Sequence, residues 1–395
     1  MDRAAPPTRG SVFAVLRAGA LSALLAAGTA LAGAPGVYAD RVVFGQSAKL
    51  SGSGGTQLGR QYRDGALLAF DEANRAGGVH GRRIDLVSLD DRIDRDQAVA
   101  NTRALIDEHR VFALTHYTFT NPVKAALPLA RDAGIPFLAP YTGYPELYTH
   151  TPAHVFVMRA SFDDELKTIV RHIETVNFRQ IGVVFYANAL GEEFRDDVVA
   201  KLQTIGRPLA VQGSMPLNAK DPLAAAGPAA DALRQVCPKV VILGVSGRDA
   251  ASIVRRMAQT DCPAPRYFAR GLVDISLLKT ELGPAARGIM VTQVVPNPHR
   301  SGHPLVHSYR SLMAQRSAGA VPDFVEFEGY IAGRFIVQAL RRCGPQLDRT
   351  CFVRALENEQ LAGPNPYRLA FGAGRRLGSR YVNIVMLADD GRIAD

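Results

Sequence analysis

The chain has 395 residues, of which 47% are hydrophobic and 21% are charged. This composition is typical of a globular protein with enough apolar residues for two domains, and it excludes disordered and fibrous classes. The formal net charge is +9 at pH 7. The basic residues are spread along the chain without an arginine-rich run or interleaved aromatics, so no nucleic-acid partner is expected.

The first 39 residues have the pattern of a secretory signal peptide. Three arginines and Asp2 come before an apolar, Ala/Leu-rich run over residues 18–34, and small residues surround a cleavage site after Ala39. Cleavage would remove three positive charges and one negative charge and lower the net charge from +9 to +7. No later stretch has the roughly 18 apolar residues of a spanning helix. We expect a soluble protein exported to the periplasm; a retained anchor is the alternative.

Apolar, β-branched runs of strand length alternate with helical patterns along the rest of the chain. The strand-like runs are residues 42–48, 84–89, 111–117, 136–141, 155–160, 181–187, 240–246, 266–271 and 289–295. The helical patterns are residues 56–76, 95–109, 122–133, 163–176, 190–204, 248–259, 275–283 and 327–342. Continuously apolar strands between amphipathic helices predict an α/β protein whose parallel sheets are covered on both faces.

The turn after the first helix shows how one such unit is built. Gly77 and Gly78 accept the left-handed backbone that ends a helix, and Gly81 allows a second turn before the strand. Asp90 and Asp91 follow that strand. The carboxyl ends of parallel strands border the ligand crevice of an open sheet, but aspartates there also form turns. Both roles are open from the sequence.

Several segments resemble one known family. Residues 45–91, from GQSAKLSGSGG to LVSLDD, resemble the amino-terminal signature of the periplasmic solute-binding proteins of branched-chain amino-acid type ABC transporters. Residues 134–147, 181–194 and 327–340 continue the pattern of that family. The similarity covers essentially the whole chain after the leader. Order and spacing carry the resemblance, because each segment alone is only a βα turn.

The resemblance implies a type I periplasmic binding fold. In this α/β fold, two doubly wound parallel-sheet lobes are joined by three crossover segments, and a ligand is enclosed between them by hinge closure. Lobe 1 would comprise residues 41–160 and 296–363. Lobe 2 would comprise residues 161–295 and 364–395, with the carboxyl-terminal tail returning to lobe 2 as its last strand.

Lobe 1 is expected to bind a ligand carboxylate in two loops. Thr118 and Thr120 offer hydroxyls after strand 111–117, and a helix starting at Asn121-Pro122 has free N–H groups that favour an anion. The resemblance implies the same role for hydroxyls and backbone amides in this loop. The candidate ligand-binding residues of lobe 1 are Tyr62, Tyr117, Thr118, Thr120, Ala139, Tyr141, Thr142 and Gly143. Ordinary capping turns are the alternative, and for Tyr62 a position in the core.

Lobe 2 is expected to supply an aromatic face and a few polar groups to the same cleft. Tyr186, Asn188 and Ser246, at the ends of two predicted strands, are the candidates. Arg270, at the end of strand 266–271, has the geometry to pair with an anionic ligand through two hydrogen bonds. An ion pair with a carboxylate of its own lobe is the alternative for Arg270.

No enzymatic, cofactor or metal site is expected. The segment GVSG at residues 244–247 lacks the spacing of a G-x-S-x-G nucleophile turn, and the glycines after the first strand lack the G-K-[ST] of a phosphate-binding loop. Three histidines between residues 299 and 307 are spaced four apart, but Pro298 and Pro304 interrupt a helix there. A polar surface connection explains that segment better than a metal site.

The four cysteines are expected to form two disulfides in an oxidising compartment. Cys237 immediately precedes strand 240–246, and Cys262 follows the helix that runs back antiparallel to it, so the two should be neighbours. Cys343 and Cys351 flank a short turn between helices, which predicts a second, local disulfide.

Two functions fit these features. The first is a monomeric receptor that delivers a small carboxylate ligand, such as an amino acid or an aromatic acid, to an ABC transporter membrane permease. The second is a ligand-sensing module of the same fold that reports to a signalling partner. An enzyme of the same α/β class is a distant third.

The resemblance also bears on the ligand's amino group. Amino-acid-binding relatives usually have a tyrosine and an acidic residue at two lobe 2 positions where this chain has Leu190 and Gly271. Arg270 lies beside the second position. We therefore expect a ligand without a free α-amino group, unless Asp274 replaces the missing acid.

Overall fold

A computed structural model describes Ala4 and residues 34–52, 56–217, 219–245, 247–300, 302–388 and 392–395. The sheets and helices named below belong to the unit Ala34–Asp395. The predicted signal peptide lies almost entirely outside the described residues. Among the residues that are described, none of the helices has the length and apolar character needed to cross a membrane.

The residues around the predicted cleavage site contact the first strand of the fold. The backbone N–H of Val43 donates to the carbonyl of Gly36, and that of Tyr38 donates to the carbonyl of Arg41. Gly36 has a positive φ of 79° and lies against the backbone of Phe112, so a side chain there would collide with that backbone. Cleavage after Ala39 stays a prediction.

The first sheet is entirely parallel in the part of the chain that is described. Its strands are β1 Arg41–Ala48, β2 Arg83–Asp90, β3 Ala113–Thr115, β4 Phe137–Leu138 and β5 Val155–Phe156, in the order β2-β1-β3-β4-β5. Side chains of β1, β3, β4 and β5 are nearly all buried, as expected for strands covered on both faces.

The second sheet is parallel at its centre and antiparallel at one edge. Its strands are β6 Ile181–Tyr186, β7 Leu209–Met215, β8 Val240–Leu243, β9 Arg266–Ala269, β10 Met290–Gln293, β13 Asn383–Leu387 and β14 Ile393–Ala394, in the order β14-β13-β10-β9-β8-β6-β7. β13 pairs antiparallel with β10, and β14 with β13. The carboxyl-terminal tail therefore returns to this sheet as predicted, as two strands. A separate antiparallel hairpin joins β11 Gln360–Ala362 to β12 Arg368–Ala370.

Helices separate most of the strands. They are α1 Thr56–Arg75, α2 Arg95–Asp107, α3 Thr120–Asp132, α4 Pro145–Thr149, α5 Phe162–Thr175, α6 Ala189–Thr204, α7 Pro222–Ala225, α8 Gly227–Arg234, α9 Gly247–Met257, α10 Ile275–Leu282, α11 Pro304–Arg316, α12 Phe324–Cys343 and α13 Arg349–Glu357. Local signals set their starts: Ser161 and Asp164 form a reciprocal capping box at α5, and Asp94 caps α2. The predicted α/β architecture with two sheets is confirmed.

The chain passes between the two sheets three times. β1 to β5 build the first sheet, β6 to β10 build the second, and α12 then packs on α1 beside the first sheet before β13 rejoins the second. Glycines permit the close α1–α12 packing: a Cβ on Gly65 would overlap the carbonyl oxygen of Glu326. We call the first sheet with its helices lobe 1 and the second with its helices lobe 2.

The predicted boundaries at residues 160, 295 and 363 stay a prediction. Segment 368–378 contacts lobe 1: Leu377 forms a parallel bridge with Val157, and the Phe371 ring lies 5.1 Å from the ring of Phe156. We propose on these contacts that the last crossover follows Gly378.

Both predicted disulfides are present. Cys237 is bonded to Cys262 across 25 residues, and Cys343 is bonded to Cys351 across 8 residues. Because the entropy removed from the unfolded chain grows with loop length, the first disulfide is expected to contribute more to stability.

Candidate ligand-binding site

A buried arginine lies where the two lobes meet. Arg159 follows β5, and its side chain is 1% exposed. Its Nε atom is 3.5 Å from Oε1 of Glu328 on α12, and its Nη2 atom is 3.8 Å from Oε1 of Glu165 on α5. The guanidinium also lies 4.1 Å from the centre of the Tyr141 ring. Arg159 therefore connects a glutamate of each lobe with an aromatic ring of lobe 1. We call these four residues the Arg159 cluster.

Charge in the Arg159 cluster depends on Glu328. Burial raises the pKa of Glu328 to about 7, against an opposing effect of Arg159. Burial alone would lower the pKa of Arg159, but Glu328, Tyr141 and Glu165 raise it above its ordinary value, so the guanidinium stays charged. Near neutral pH, the cluster thus contains one permanent cation and a glutamate that is partly protonated.

Several buried polar atoms around this cluster have no hydrogen-bond partner among the described residues. They are Nε, Nη1 and Nη2 of Arg159, Oε1 of Glu165 and Oγ1 of Thr118. A buried polar group without a partner costs about 1–3 kcal/mol, so native proteins keep few of them without a reason. A bound molecule with oxygen acceptors would satisfy the guanidinium and the hydroxyl.

The predicted loops of lobe 1 run together beside Tyr141. Thr118 and Tyr141 form a parallel backbone bridge, and the hydroxyls of Thr120 and Thr142 are 2.8 Å apart. His116, Phe119 and Ala139 have positive φ values of 56°, 67° and 50°. Residues with a side chain rarely adopt this backbone, and such strain clusters at binding and catalytic sites. The strained segments are the ends of β3 and β4, where the strands are shorter than predicted.

Tyr62 belongs to the aromatic layer under these loops. Its hydroxyl donates to the carbonyl of Ala139 at 3.0 Å, and its ring lies 4.9 Å from Tyr141 and 4.7 Å from His116. Burial lowers the pKa of His116 to about 4, so this imidazole is neutral. Tyr62 is 1% exposed. It thus occupies the core position given as its alternative, directly against Tyr141.

Lobe 2 brings a second arginine to the interface. The Arg270 guanidinium lies between two rings, 4.3 Å from the centre of Phe162 and 4.4 Å from that of Phe194. Burial lowers the pKa of Arg270 to about 10, which leaves it charged at pH 7. Among the described residues, its side chain has neither a hydrogen bond nor an ion pair. The alternative of an ion pair within its own lobe is therefore not what the structure shows.

Two backbone groups hold the lobes together next to Arg270. Gly271 donates its N–H to Oε2 of Glu165 at 2.6 Å and accepts a hydrogen bond from the Tyr141 hydroxyl at 3.3 Å. Gly143 accepts from the N–H of Phe162 at 2.8 Å. A Cβ on Gly143 would lie 2.6 Å from that nitrogen, so glycine is required for the close approach. Gly143 therefore has a structural contact with the start of α5.

Other predicted site residues have their polar atoms engaged elsewhere. The Tyr117 hydroxyl is 3.0 Å from Oγ1 of Thr102 within the core of lobe 1. The Tyr186 hydroxyl donates to Asp249 at 2.6 Å, and Asn188 caps α6 by accepting from the N–H of Gly191. Ser246 lies outside the described residues. Binding roles for these four residues stay predictions.

Asp90 and Asp91 form turns. Asp90 accepts hydrogen bonds from the N–H of Leu50, at 2.8 Å, and from the hydroxyl of Ser51. Asp91 is fully buried and accepts from the hydroxyl of Ser47 at 3.0 Å. Burial raises the pKa of Asp91 to about 6. These bonds fasten the loop after β1 to the end of β2, so the role as turn formers is confirmed.

Sequence reasoning missed the most buried part of this site. Arg159 lies in the apolar run of residues 155–160, and a single charge at the end of such a run was the available signal. Glu165 and Glu328 occur in ordinary helical patterns and gave no comparable signal. The predicted histidine segment has a structural role: His303 caps α11 by accepting from the N–H of Leu305 at 3.2 Å. Within the described ranges, no group of three or more His, Cys, Asp and Glu residues is placed to bind a metal ion.

Two aspartates cap helices on opposite sides of the interface. Asp274 of lobe 2 accepts from the N–H groups of Ser276 and Leu277, and Asp323 of lobe 1 accepts from those of Val325 and Glu326. The Ser276 hydroxyl is 3.4 Å from Oδ2 of Asp323, which joins the two caps. Burial, and then the charge of Asp274, raise the pKa of Asp323 to about 7.

Replacing Asp323 by asparagine is expected to stabilise the protein increasingly between pH 5 and pH 8. The folded pKa of about 7 exceeds the unfolded value of about 3.9. The contribution of Asp323 to stability is therefore fully present below pH ~4 and is lost as the pH rises through ~7. Asparagine keeps the cap and cannot ionise. Urea unfolding from pH 5 to 8 should show a gain that reaches a few kcal/mol.

Asp348→Asn is the matched control, because Asp348 is an exposed cap on α13. A difference between Asp323→Asn and the unchanged protein that is constant from pH 5 to 8 would contradict a raised pKa at Asp323.

Comparisons with known proteins place the chain in a family. A family model described as periplasmic binding protein matches residues 41–392. An amino acid binding protein of Pseudomonas aeruginosa is 25% identical over 254 residues, which are 64% of this chain and 66% of that protein. The Leu/Ile/Val-binding protein homolog 2 of Brucella abortus is 24% identical over 311 residues, covering 78% of this chain and 80% of the relative.

A solved structure agrees with the fold. The crystal structure of a possible leucine/isoleucine/valine-binding protein from Rhodopirellula baltica matches with a TM-score of 0.80 at 27% identity, over 90% of this chain and 97% of that one. The family match spans both sheets apart from β14, and it includes the crossings between them. The chain therefore belongs to the periplasmic binding protein family and has the type I, leucine-binding-protein-like fold.

Proposed function

We propose that this protein is an extracytoplasmic receptor that binds a small carboxylate ligand between its lobes and delivers it to the permease of an ABC transporter. The unsatisfied polar atoms of Arg159 and Thr118 carry the proposal. The Arg159 guanidinium lies over the Tyr141 ring, and the Thr118 backbone pairs with that of Tyr141. A carboxylate accepts several hydrogen bonds at once and forms its strongest bonds with a guanidinium. The backbone strain at His116, Phe119 and Ala139 supports the same location.

The relatives support a carboxylate as the common feature of the ligand. Their names refer to amino acids and to leucine, isoleucine and valine, and each of these compounds carries an α-carboxylate. Proteins of this family bind substrates and are not enzymes, and we propose the same for this chain. The family's location supports export to the periplasm, with the predicted leader removed.

A thermal-shift screen tests the binding function. Protein purified from the periplasm of an expression host would be screened against amino acids, aromatic acids and small dicarboxylates, with the primary amide of each compound as its matched control. At a ligand concentration 100 times the dissociation constant, one site adds about 2.7 kcal/mol. That is a rise in melting temperature of a few degrees. We expect a shift with one class of acid and none with its amide.

The delivery step needs a separate measurement. A ligand that binds would next be offered, together with the receptor, to membrane vesicles containing an ABC permease from the same organism. Uptake that requires the receptor supports transport. Binding without receptor-dependent uptake would instead point to the ligand-sensing alternative. Shifts that are equal for acids and amides would contradict a carboxylate site.

A further inference from the structure

An arginine-lined cavity lies beside the last crossover between the lobes. Its volume is about 480 Å³, within the range of roughly 300–1,000 Å³ that is typical of small-molecule sites. Its walls include Arg368, Ala370, Arg375, Leu377, Ser379 and Arg380. None of the described residues that line this cavity is acidic. We call it the arginine cavity.

The three arginines come from different parts of the local fold. Arg368 is the first residue of β12, Arg375 lies in the turn that follows, and Arg380 lies on the crossover toward β13. The turn is closed by reciprocal backbone hydrogen bonds between Gly372 and Arg375. The fold of this segment thus brings three arginines that are several residues apart in the sequence to one concave surface.

Two of the guanidinium groups are held in place by neutral partners. Nη2 of Arg375 donates to the carbonyls of Ala370, at 3.2 Å, and Phe371, at 3.1 Å. Nη2 of Arg368 donates to the side-chain oxygen of Gln360 at 2.5 Å. Arg380 has no bonded partner among the described residues. Within the described ranges, none of the three guanidinium groups is therefore paired with a carboxylate, and two of them are held in position by hydrogen bonds.

The neighbouring Arg376 shows a different arrangement. Its Nη2 atom pairs with Glu357 at 2.7 Å, and its guanidinium lies 4.6 Å from the centre of the Phe156 ring. This arginine has a carboxylate and packs against lobe 1. Arg376, which packs against lobe 1, therefore has a carboxylate partner. The arginines of the cavity, in the same short segment, have none among the described residues.

We propose that the arginine cavity binds a small oligoanion with two or more phosphate or carboxylate groups. Guanidinium groups bind both kinds of oxyanion through paired hydrogen bonds. Three of them around one cavity suit a ligand with several negative charges better than one with a single charge. The apolar walls of Ala370 and Leu377 can cover the carbon skeleton or bridging atoms of such a ligand.

Isothermal titration of the full protein with pyrophosphate and with citrate tests this proposal, and acetate serves as the singly charged control. We expect saturable binding of at least one oligoanion at 50 mM NaCl, weakened at 300 mM NaCl because the site is exposed. The anion that binds more tightly identifies phosphate or carboxylate as the preferred group.

Variants locate the site. Arg380→Gln removes a side chain without bonded partners, so folding is not at risk, and it should weaken binding about tenfold. Arg368→Gln combined with Arg380→Gln should abolish it, whereas Arg354→Gln, at an exposed position on α13, should bind like the unchanged protein. Citrate bound near Arg159 would be insensitive to these changes. No saturable binding, or binding of the double variant within about twofold of the unchanged protein, would overturn the proposal.

Discussion

Replacing Arg159 by methionine is expected to lower the free energy of unfolding by about 3–5 kcal/mol and to abolish ligand binding. The guanidinium forms an ion pair with both Glu165 and Glu328. Its removal takes the ion-pair partner away from two buried carboxyl groups, and methionine fills much of the same volume without charge. Urea unfolding measures the first effect, and titration with the ligand from the thermal-shift screen measures the second.

A second variant separates charge from packing. Combining Arg159→Met with Glu328→Gln should recover part of the lost stability, because one unpaired carboxyl group is gone, but it should not restore binding. Arg171→Gln, on the exposed face of α5, is the control for losing an arginine. If Arg159→Met stayed within 1 kcal/mol of the unchanged protein and still bound ligand, the Arg159 cluster would have neither role.

Leucine is expected to bind at least about 100-fold more weakly than its α-keto acid, which has the same carbon skeleton without the amino group. Arg159 and Arg270 are charged at neutral pH, whereas burial holds the pKa of Glu328 at about 7. The site thus has excess positive charge. Glu165 and Glu328 already face Arg159, and Asp274 caps α10. A buried ammonium group would lack a carboxylate of its own.

The same charges predict that the affinity for the keto acid depends on pH. Raising the pH from 6 to 8 ionises Glu328, removes the excess positive charge and should weaken binding of the keto acid. Glu328→Gln should flatten this dependence, because glutamine does not titrate. Isothermal titration with both compounds from pH 6 to 8 provides the comparison. Micromolar binding of leucine, isoleucine or valine would contradict this prediction.

Most strands and helices could be predicted from the sequence, because the residue patterns that indicate them lie within each element. The pattern over residues 95–109 predicts α2, which spans Arg95–Asp107. The missed strand β7, Leu209–Met215, lies at the edge of its sheet and alternates buried and exposed residues. A search for continuously apolar runs detects central parallel strands and overlooks such an edge.

Residues of the candidate binding site could be predicted from the sequence only where they directly follow a strand. Thr118 and Tyr141 were predicted because the ends of parallel strands meet at one edge of the sheet. Glu328 is 169 positions from Arg159 in the sequence (328 − 159), and only the packing of α12 against lobe 1 brings the two together. Asn188 was harder to interpret, because an asparagine that follows a strand can be either a cleft residue or a helix cap. In the structure, its side chain accepts a hydrogen bond from the N–H of Gly191 and caps α6.

Closure of the two lobes around the ligand is the central claim, and small-angle X-ray scattering tests it most directly. The protein would be measured free and saturated with the acid that gives the largest thermal shift. We predict a smaller radius of gyration with ligand, because hinge closure of two lobes around a ligand makes a protein more compact. Identical dimensions with and without the bound acid would contradict the account.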